Sequence, residues 1–402
     1  MPYSLFDIWD AFIAKRKSVE ALHRLLAKNA RLTWFDIDLT NACNLVCNHC
    51  FYHDQYSDFT EPALAPEILE EAIRQAMLAQ IKILTFSGKE PTLSRNFAIA
   101  IRSAHRWRTQ LAPETKIGLI TNGITLPQHL PLLEEYAPNF IDISIDGWEY
   151  QNLIRSNTRD RVVANLQLAK RQLRNTRVGT STVVRNDNVF DIATMIRQLA
   201  SFSNYFYFEP VVAGVDKSID SLSEDNLIIF VKLLQQLAEE FRDQETRFSI
   251  LLNGDQAISL FYAGLLEAED IEEDELNSLY IRRHFGKAQV DFILRIVPEF
   301  YWRAARLSYD GYWLGTCDLL QAPNFRDLAN GNFSTTPDLQ YLFTDSIKRG
   351  SLFHESLHRA VVEGCQHSPR EQQYCLGCFS TALVRMMHQR YKKNVPLLQA
   401  AA

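Results

Sequence analysis

The residues of this 402-residue chain best equipped for chemistry are its seven cysteines, which fall into two groups. Cys43, Cys47 and Cys50 stand at C-x3-C-x2-C spacing in DLTNACNLVCNHCFY. Cys317, Cys365, Cys375 and Cys378 lie in the last quarter, the final pair forming the C-x2-C of CLGC. Cysteine thiolates hold iron–sulfur clusters, and a cubic four-iron cluster takes four ligands. Three thiolates from one short loop hold three corners and leave the fourth iron open to a chelating ligand. Zinc sites pair cysteines as C-x2-C with a second pair elsewhere, so the front triplet fits zinc poorly. The rear group fits zinc as well as it fits iron–sulfur. A third reading of the front triplet, buried thiols packing as small hydrophobes, conflicts with the loop-forming Asn41, Asn44 and Asn48 around it.

The elements that must hold these loops are read from hydrophobic periodicity. Short β-branched and aromatic runs predict strands at Trp34–Leu39, Ile81–Phe86, Lys116–Thr121, Phe140–Ile145, Arg177–Val184 and Tyr205–Val212. Helical stretches separate them; one opens at Pro66 and places Ile68, Leu69, Ala72, Ile73 and Ala76 on one face. Six strands alternating with helices predict an α/β fold of parallel units, a partial (β/α)6 TIM-like barrel over residues 31–215. Reactive groups in such barrels gather at the C-terminal strand ends. The cysteine loop, SGKEPTL and ISIDG all sit at such ends. Residues 1–30 read as a helical segment. The alternation is expected to stop after Gly214, giving a helical bridging region over 216–305 whose helix starts at a Ser221-x-x-Glu224 capping box. Seven of the nine residues from Glu267 to Glu275 are acidic, read first as a solvated face and second as a dock for a basic peptide. Residues 306–402 form a small C-terminal α+β module, entered by a hairpin over Leu307–Thr316 that turns at Asp310-Gly311.

Composition narrows the class. With 47% apolar and 22% charged residues the chain is globular. A net charge of −6 argues against a nucleic-acid partner. No apolar run approaches the ~20 residues that span a bilayer, and the N-terminus lacks a signal-peptide layout. A cytoplasmic location with reduced cysteines free for metal is the expectation.

The motif set resembles the radical S-adenosylmethionine (radical SAM) superfamily. The C-x3-C-x2-C loop after a strand, FSGKEPTL and ISIDG carry the likeness, and the cysteine-rich C-terminus is similar to the SPASM/twitch branch. The resemblance implies that Cys43, Cys47 and Cys50 bind a [4Fe-4S] cluster whose open iron chelates S-adenosylmethionine. It implies one-electron cleavage to a 5′-deoxyadenosyl radical that abstracts a substrate hydrogen. It places Glu90 on the methionyl ammonium within the turn of Gly88 and Pro91, with Ser87 reaching the same ligand, and Lys89 standing where relatives have a second glycine. It gives Ser144, beside Asp146, to the ribose and Arg155 to the carboxylate. Thr182 is a further ligand contact, Pro210 and Val211 offer backbone to the adenine, and His49 stacks on it or lines the loop. It makes Cys317, Cys365, Cys375 and Cys378 the ligands of one auxiliary [4Fe-4S] cluster. A full SPASM module has more cysteines than these four.

Such proteins commonly modify peptides. The resemblance therefore implies a maturase of a ribosomally synthesised precursor peptide, reduced by a flavodoxin or ferredoxin. The outcome expected is a cyclophane crosslink of the XYE type, joining a Cβ carbon to an aromatic ring. Thioether formation, epimerisation and formylglycine generation are the alternatives within the class. A zinc-stabilised binding scaffold without enzymatic activity is the alternative outside it. Few residues precede the barrel, which leaves no room there for a leader-binding winged helix.

Overall fold

The computed structural model of the chain describes residues 34–47, 50, 64–211, 222–267, 270–273, 279–295, 304–307, 312–315 and 348–351. Of the sequence expectations, the helical segment over 1–30, His49, the four rear cysteines and Ser221 lie outside the described residues.

The core repeats one unit, a parallel strand followed by a helix on the outer face. The elements run β1 (Trp34–Asp38), α1 (Pro66–Leu78), β2 (Ile83–Ser87), α2 (Phe97–Leu111), β3 (Lys116–Thr121), α3 (Leu130–Tyr136) and β4 (Phe140–Ser144). They continue with α4 (Tyr150–Ile154), α5 (Arg159–Gln172), β5 (Arg177–Val184), α6 (Val189–Leu199) and β6 (Tyr205–Pro210). All six expected strands are present, and each pairs in parallel with its neighbour in sequence order. α1 starts at Pro66 because proline lacks an N–H that the first turn leaves unbonded anyway. Its buried side, Leu69, Ala72, Ile73, Ala76 and Met77, contains four of the five positions the periodicity selected.

The alternation does not end near residue 215. After α7 (Glu224–Glu240) comes β7 (Arg247–Asn253), parallel to β6, then α8 (Gly254–Tyr262). β8 (Glu272–Glu273), β9 (Leu279–Phe285) and β10 (Ala288–Arg295) follow, with β10 parallel to β7. The region expected to be a helical bridge thus also carries strands that widen the sheet. α7 is capped by Ser223, whose hydroxyl accepts the Asn226 N–H at 3.3 Å. In the acidic run, Asp270 pairs with Arg283 at 2.7 Å and Glu272 accepts the Tyr280 hydroxyl at 2.6 Å. These two carboxylates are occupied within the chain.

The expected hairpin forms as β11 (Ala304–Leu307) and β12 (Tyr312–Gly315), antiparallel with Leu307 opposite Trp313. β11 adds in parallel to the free edge of β1, and β13 (Lys348–Ser351) follows β12. Among the described residues, thirteen strands form one sheet in the order β13-β12-β11-β1-β2-β3-β4-β5-β6-β7-β10-β9-β8.

Two faces follow from the twofold alternation of a strand. Phe208 packs edge-to-face on Phe230 of α7 at 5.2 Å, so the even-numbered residues of β6 face the helices. Tyr205, Tyr207 and Glu209 then face the barrel interior, and across the ladder Ser144, Ser181, Tyr207 and Ser249 align on that side. Two glycines make room inside. A Cβ on Gly118 would sit 2.1 Å from the Phe140 ring, and one on Gly179 would sit 2.4 Å from the Tyr205 ring. Tyr205 lies across Gly179 and donates to Asp142 Oδ1 at 2.5 Å.

Candidate functional site

The cysteine loop begins where β1 ends. Among the described residues no disulfide engages the front cysteines; Cys47 is buried and Cys43 and Cys50 are half-buried. Cys50 N–H donates to the Cys47 carbonyl at 3.0 Å, turning the loop back on itself. Cys43 Sγ accepts the Leu45 N–H at 3.4 Å and the Asn122 side-chain amide at 3.8 Å. Cys47 Sγ accepts Arg155 Nη1 at 3.8 Å. Burial pushes the Cys43 thiol up and lifts Cys47 to about 12, despite the Arg155 charge beside it. Thiols held this way stay protonated at neutral pH until a metal displaces the proton.

The second strand end supplies Glu90. Gly88 has φ +109°, and a Cβ there would lie 3.1 Å from the Thr40 carbonyl, so only glycine fits where this turn crosses β1. One glycine suffices: with Lys89 next in line, the turn still delivers Glu90 N–H to the Ala42 carbonyl at 3.0 Å, tying it to the cysteine loop. The Glu90 side chain is fully buried. Oε1 accepts the Thr92 N–H at 3.1 Å, the Thr92 hydroxyl and the Thr121 hydroxyl at 2.7 Å, and Oε2 accepts the Asn122 N–H at 2.7 Å. Burial raises the carboxyl's pKa while these bonds oppose the rise. Among the described residues Oε2 takes a single bond, which leaves a lone pair for one further donor.

The fourth strand end supplies Asp146 and, one short helix later, Arg155. Arg155 Nε pairs with Asp146 Oδ2, and both side chains are buried. Asp146 Oδ1 accepts the Val183 N–H at 2.8 Å, its N–H donates to Gln151 at 2.9 Å, and its carbonyl accepts Asn188 at 2.8 Å. This web pins Asp146 between β5, α4 and α6. Burial works against the guanidinium charge, but Asp146 and the neighbouring Cys47 hold its pKa above the ordinary arginine value.

The structure thus brings Cys43, Cys47, Cys50, Gly88, Glu90 and Arg155 to one end of the barrel. Ser87 is there too, its hydroxyl donating to Asp38 Oδ1 at 3.4 Å. Ser144 closes β4 half-buried on the interior face, opposite Ser181. Pro91 is buried and opens the short 3-10 turn behind Glu90. One expected contact does not join them. Thr182 is fully buried on the helix-facing side, and its hydroxyl is bonded to the Ile145 carbonyl at 2.5 Å. Val211 donates its N–H to Val184 and accepts the Leu222 N–H. Sequence reasoning missed Thr92, Thr121 and above all Asn122. The signal was ITNG (Ile120–Gly123), a strand end with its own positive-φ glycine, Gly123.

The donor set fits a cluster. Among the described residues no three His, Cys, Asp or Glu side chains gather tightly enough to hold a single metal ion. Three cysteine thiolates from one loop are the ligand type that iron–sulfur clusters take. N–H donors on the sulfurs are a familiar feature of such sites.

A parallel β/α barrel with a three-cysteine loop, a buried carboxylate and a buried arginine at its strand ends is the frame of a cofactor-binding iron–sulfur enzyme. Residues 37–199 match the family model of the Radical SAM superfamily. The superfamily uses S-adenosylmethionine and a [4Fe-4S] cluster. Among curated proteins, the chain is 28% identical over 169 residues to a GTP 3′,8-cyclase of Synechocystis, covering 40% of this chain and 50% of that protein. It is 30% identical to the mitochondrial GTP 3′,8-cyclase of Arabidopsis thaliana, over 36% of this chain and 37% of that one. The chain thus spans half or less of the length of these relatives. Among solved structures, Streptococcus suis SuiB bound to precursor peptide SuiA aligns with TM-score 0.61 at 12% identity, covering 90% of this chain and 70% of SuiB. The structure of anSMEcpe with bound AdoMet and a peptide aligns with TM-score 0.54 at 17% identity, covering 87% and 84%. Among the described residues no helix is long and apolar enough to cross a membrane.

Proposed function

We propose that the protein is a radical SAM maturase of a ribosomally synthesised peptide and that it forms a side-chain crosslink of the cyclophane type. One observation carries the radical SAM part: the Cys43–Cys50 loop, Glu90 and Arg155 converge at a single barrel end. Cys43, Cys47 and Cys50 would hold the [4Fe-4S] cluster, which with S-adenosylmethionine supplies a 5′-deoxyadenosyl radical. Glu90 Oε2 accepts an ammonium through its remaining lone pair. Arg155 presents a fixed positive charge suited to a carboxylate. Ser144, at the interior end of β4, faces where a ribose would lie.

The peptide part rests on extent. The GTP 3′,8-cyclases of Synechocystis and Thermoplasma volcanium match over 40% and 41% of the chain. The fold shared with SuiB and anSMEcpe runs through most of it, and both have been crystallised with peptides. The interior wall fits an extended polar chain, since Ser144, Ser181, Tyr207 and Ser249 line up across four strands. The auxiliary cluster on Cys317, Cys365, Cys375 and Cys378 belongs to the same reading, as does an external electron donor. The second reading is action on a purine nucleotide, which the curated relatives' names favour.

The test is anaerobic reconstitution followed by mass spectrometry. Cleavage of S-adenosylmethionine to 5′-deoxyadenosine is the first expected result. Loss of two hydrogens from a precursor peptide encoded beside the gene is the second. An unchanged mass with inverted stereochemistry indicates epimerisation, and consumption of GTP in place of peptide overturns the maturase reading.

A further inference from the structure

We propose that Asn122 is a positioning residue that sets the reduction potential of the front cluster, through a hydrogen bond to the Cys43 sulfur. The inference rests on the radical SAM reading above and deepens it.

Asn122 stands at the junction of three parts of the site. Its backbone N–H goes to Glu90 Oε2 at 2.7 Å. Its side-chain Oδ1 accepts the Ile124 N–H at 3.0 Å, closing a local turn. That bond fixes which end of the amide is oxygen, so Nδ2 must point toward the cysteine loop. There it donates to Asn44 Oδ1 at 2.7 Å and to Cys43 Sγ at 3.8 Å. Asn122 is 6% exposed, so the geometry is enclosed and little water competes for these donors. The following Gly123, at φ +78°, lets the chain leave β3 without a side chain in the way; a Cβ there would lie 2.9 Å from Ile143.

Donors to ligand sulfurs are one of the levers that tune iron–sulfur potentials. Reduction adds an electron to the cluster and makes the sulfurs richer in charge, so each N–H···S bond strengthens on reduction and raises the potential. Cys43 has two such donors, Leu45 N–H and Asn122 Nδ2, and Cys47 has Arg155. Asn122 differs from Arg155 in being neutral and in having no bond to Asp146. Its effect on the cluster is therefore separable from the charge that faces a carboxylate ligand. The bond to Asn44 tethers the loop but touches no sulfur, which allows tethering and tuning to be separated.

The experiment uses the full chain, reconstituted anaerobically, and follows by redox titration the EPR signal that responds to added S-adenosylmethionine. The expected result for Asn122→Leu is a reduced-to-oxidised ratio about tenfold lower at fixed potential, a one-electron shift of about 59 mV to more negative values. Asn122→Asp, isosteric and carrying an acceptor toward the sulfur, is expected to shift further in the same direction. Asn44→Ala is expected to leave the potential unchanged while lowering the iron retained on gel filtration. A potential unmoved in an iron-loaded Asn122→Leu or Asn122→Asp protein overturns the proposal, as does an equal shift from Asn44→Ala. Wild-type protein that takes up no cluster would defeat the radical SAM reading itself, a different outcome from either.

Discussion

Replacing Asp146 by asparagine tests how the site is held together before any cofactor arrives. Asp146 is fully buried and Arg155 is 9% exposed, so the pair sits where water screens little. Asparagine keeps an acceptor for the Val183 N–H, which bonds Oδ1 at 2.8 Å. It removes the negative charge and turns an amide toward the guanidinium. Breaking a buried pair from one side typically costs about 3–5 kcal/mol, because the surviving charge is left uncompensated. The expected loss for Asp146→Asn is therefore about 3–5 kcal/mol, read as a lowered urea midpoint in the iron-free protein. The double variant Asp146→Leu/Arg155→Leu separates charge from packing. Replacing both partners of a buried pair by apolar groups is often near neutral, so the double variant is expected to be more stable than Asp146→Asn while losing iron uptake. An Asp146→Asn protein within about 1 kcal/mol of wild type would refute the reasoning, since it would show that Arg155 does not depend on this carboxylate.

Three further outcomes follow from the same geometry. Burial raises the Asp142 carboxyl from 3.8 to about 6; its stabilising share is full below pH 3.8 and lost as pH rises through 6. Relative to Asp142→Asn, wild-type unfolding free energy is therefore expected to fall by about 3 kcal/mol across that window, at 1.36 kcal/mol per unit, measured by denaturation at pH 3 and pH 7.5. Gly179→Ala places a methyl 2.4 Å from the Tyr205 ring and is expected to cost about 1–3 kcal/mol by overpacking, with Gly179→Ala/Tyr205→Leu recovering most of it in thermal melts. Cys43→Ala is expected to abolish reductive cleavage of S-adenosylmethionine, and wild-type rates in that variant would unseat the front-cluster assignment.

How much of this was legible beforehand depends on whether the signal was local. The strand ends were, because a parallel strand buried by a helix on one side is a short apolar run bounded by turn residues, and all six runs became strands. The cysteine spacing was local as well. The continuation into β7 and β10 was not: RFSILLN and AQVDFILR are strands whose place depends on pairing with β6 and with each other across many residues. Thr182 shows the same limit on a smaller scale. It stands at a strand end in the sequence, but which face it takes is set by register, and Ser181 rather than Thr182 lies opposite Tyr207.

Asn122 shows why the site was only half legible. Sequence reasoning weighed groups by their ability to bear charge or bind metal, and a neutral amide scores low on both counts. Its part in the site arises from position: one backbone donor aimed at Glu90, one side-chain donor aimed at Cys43, and an acceptor engaged by Ile124 so that neither can turn away. Each of these bonds is ordinary; their convergence exists only because β1, β2 and β3 are adjacent and in register. The chemistry-bearing residues of such a site can be read from residue type. The residues that aim them are selected by topology, and in this fold the end of β3 is where a single side chain reaches both the carboxylate turn and the cysteine loop.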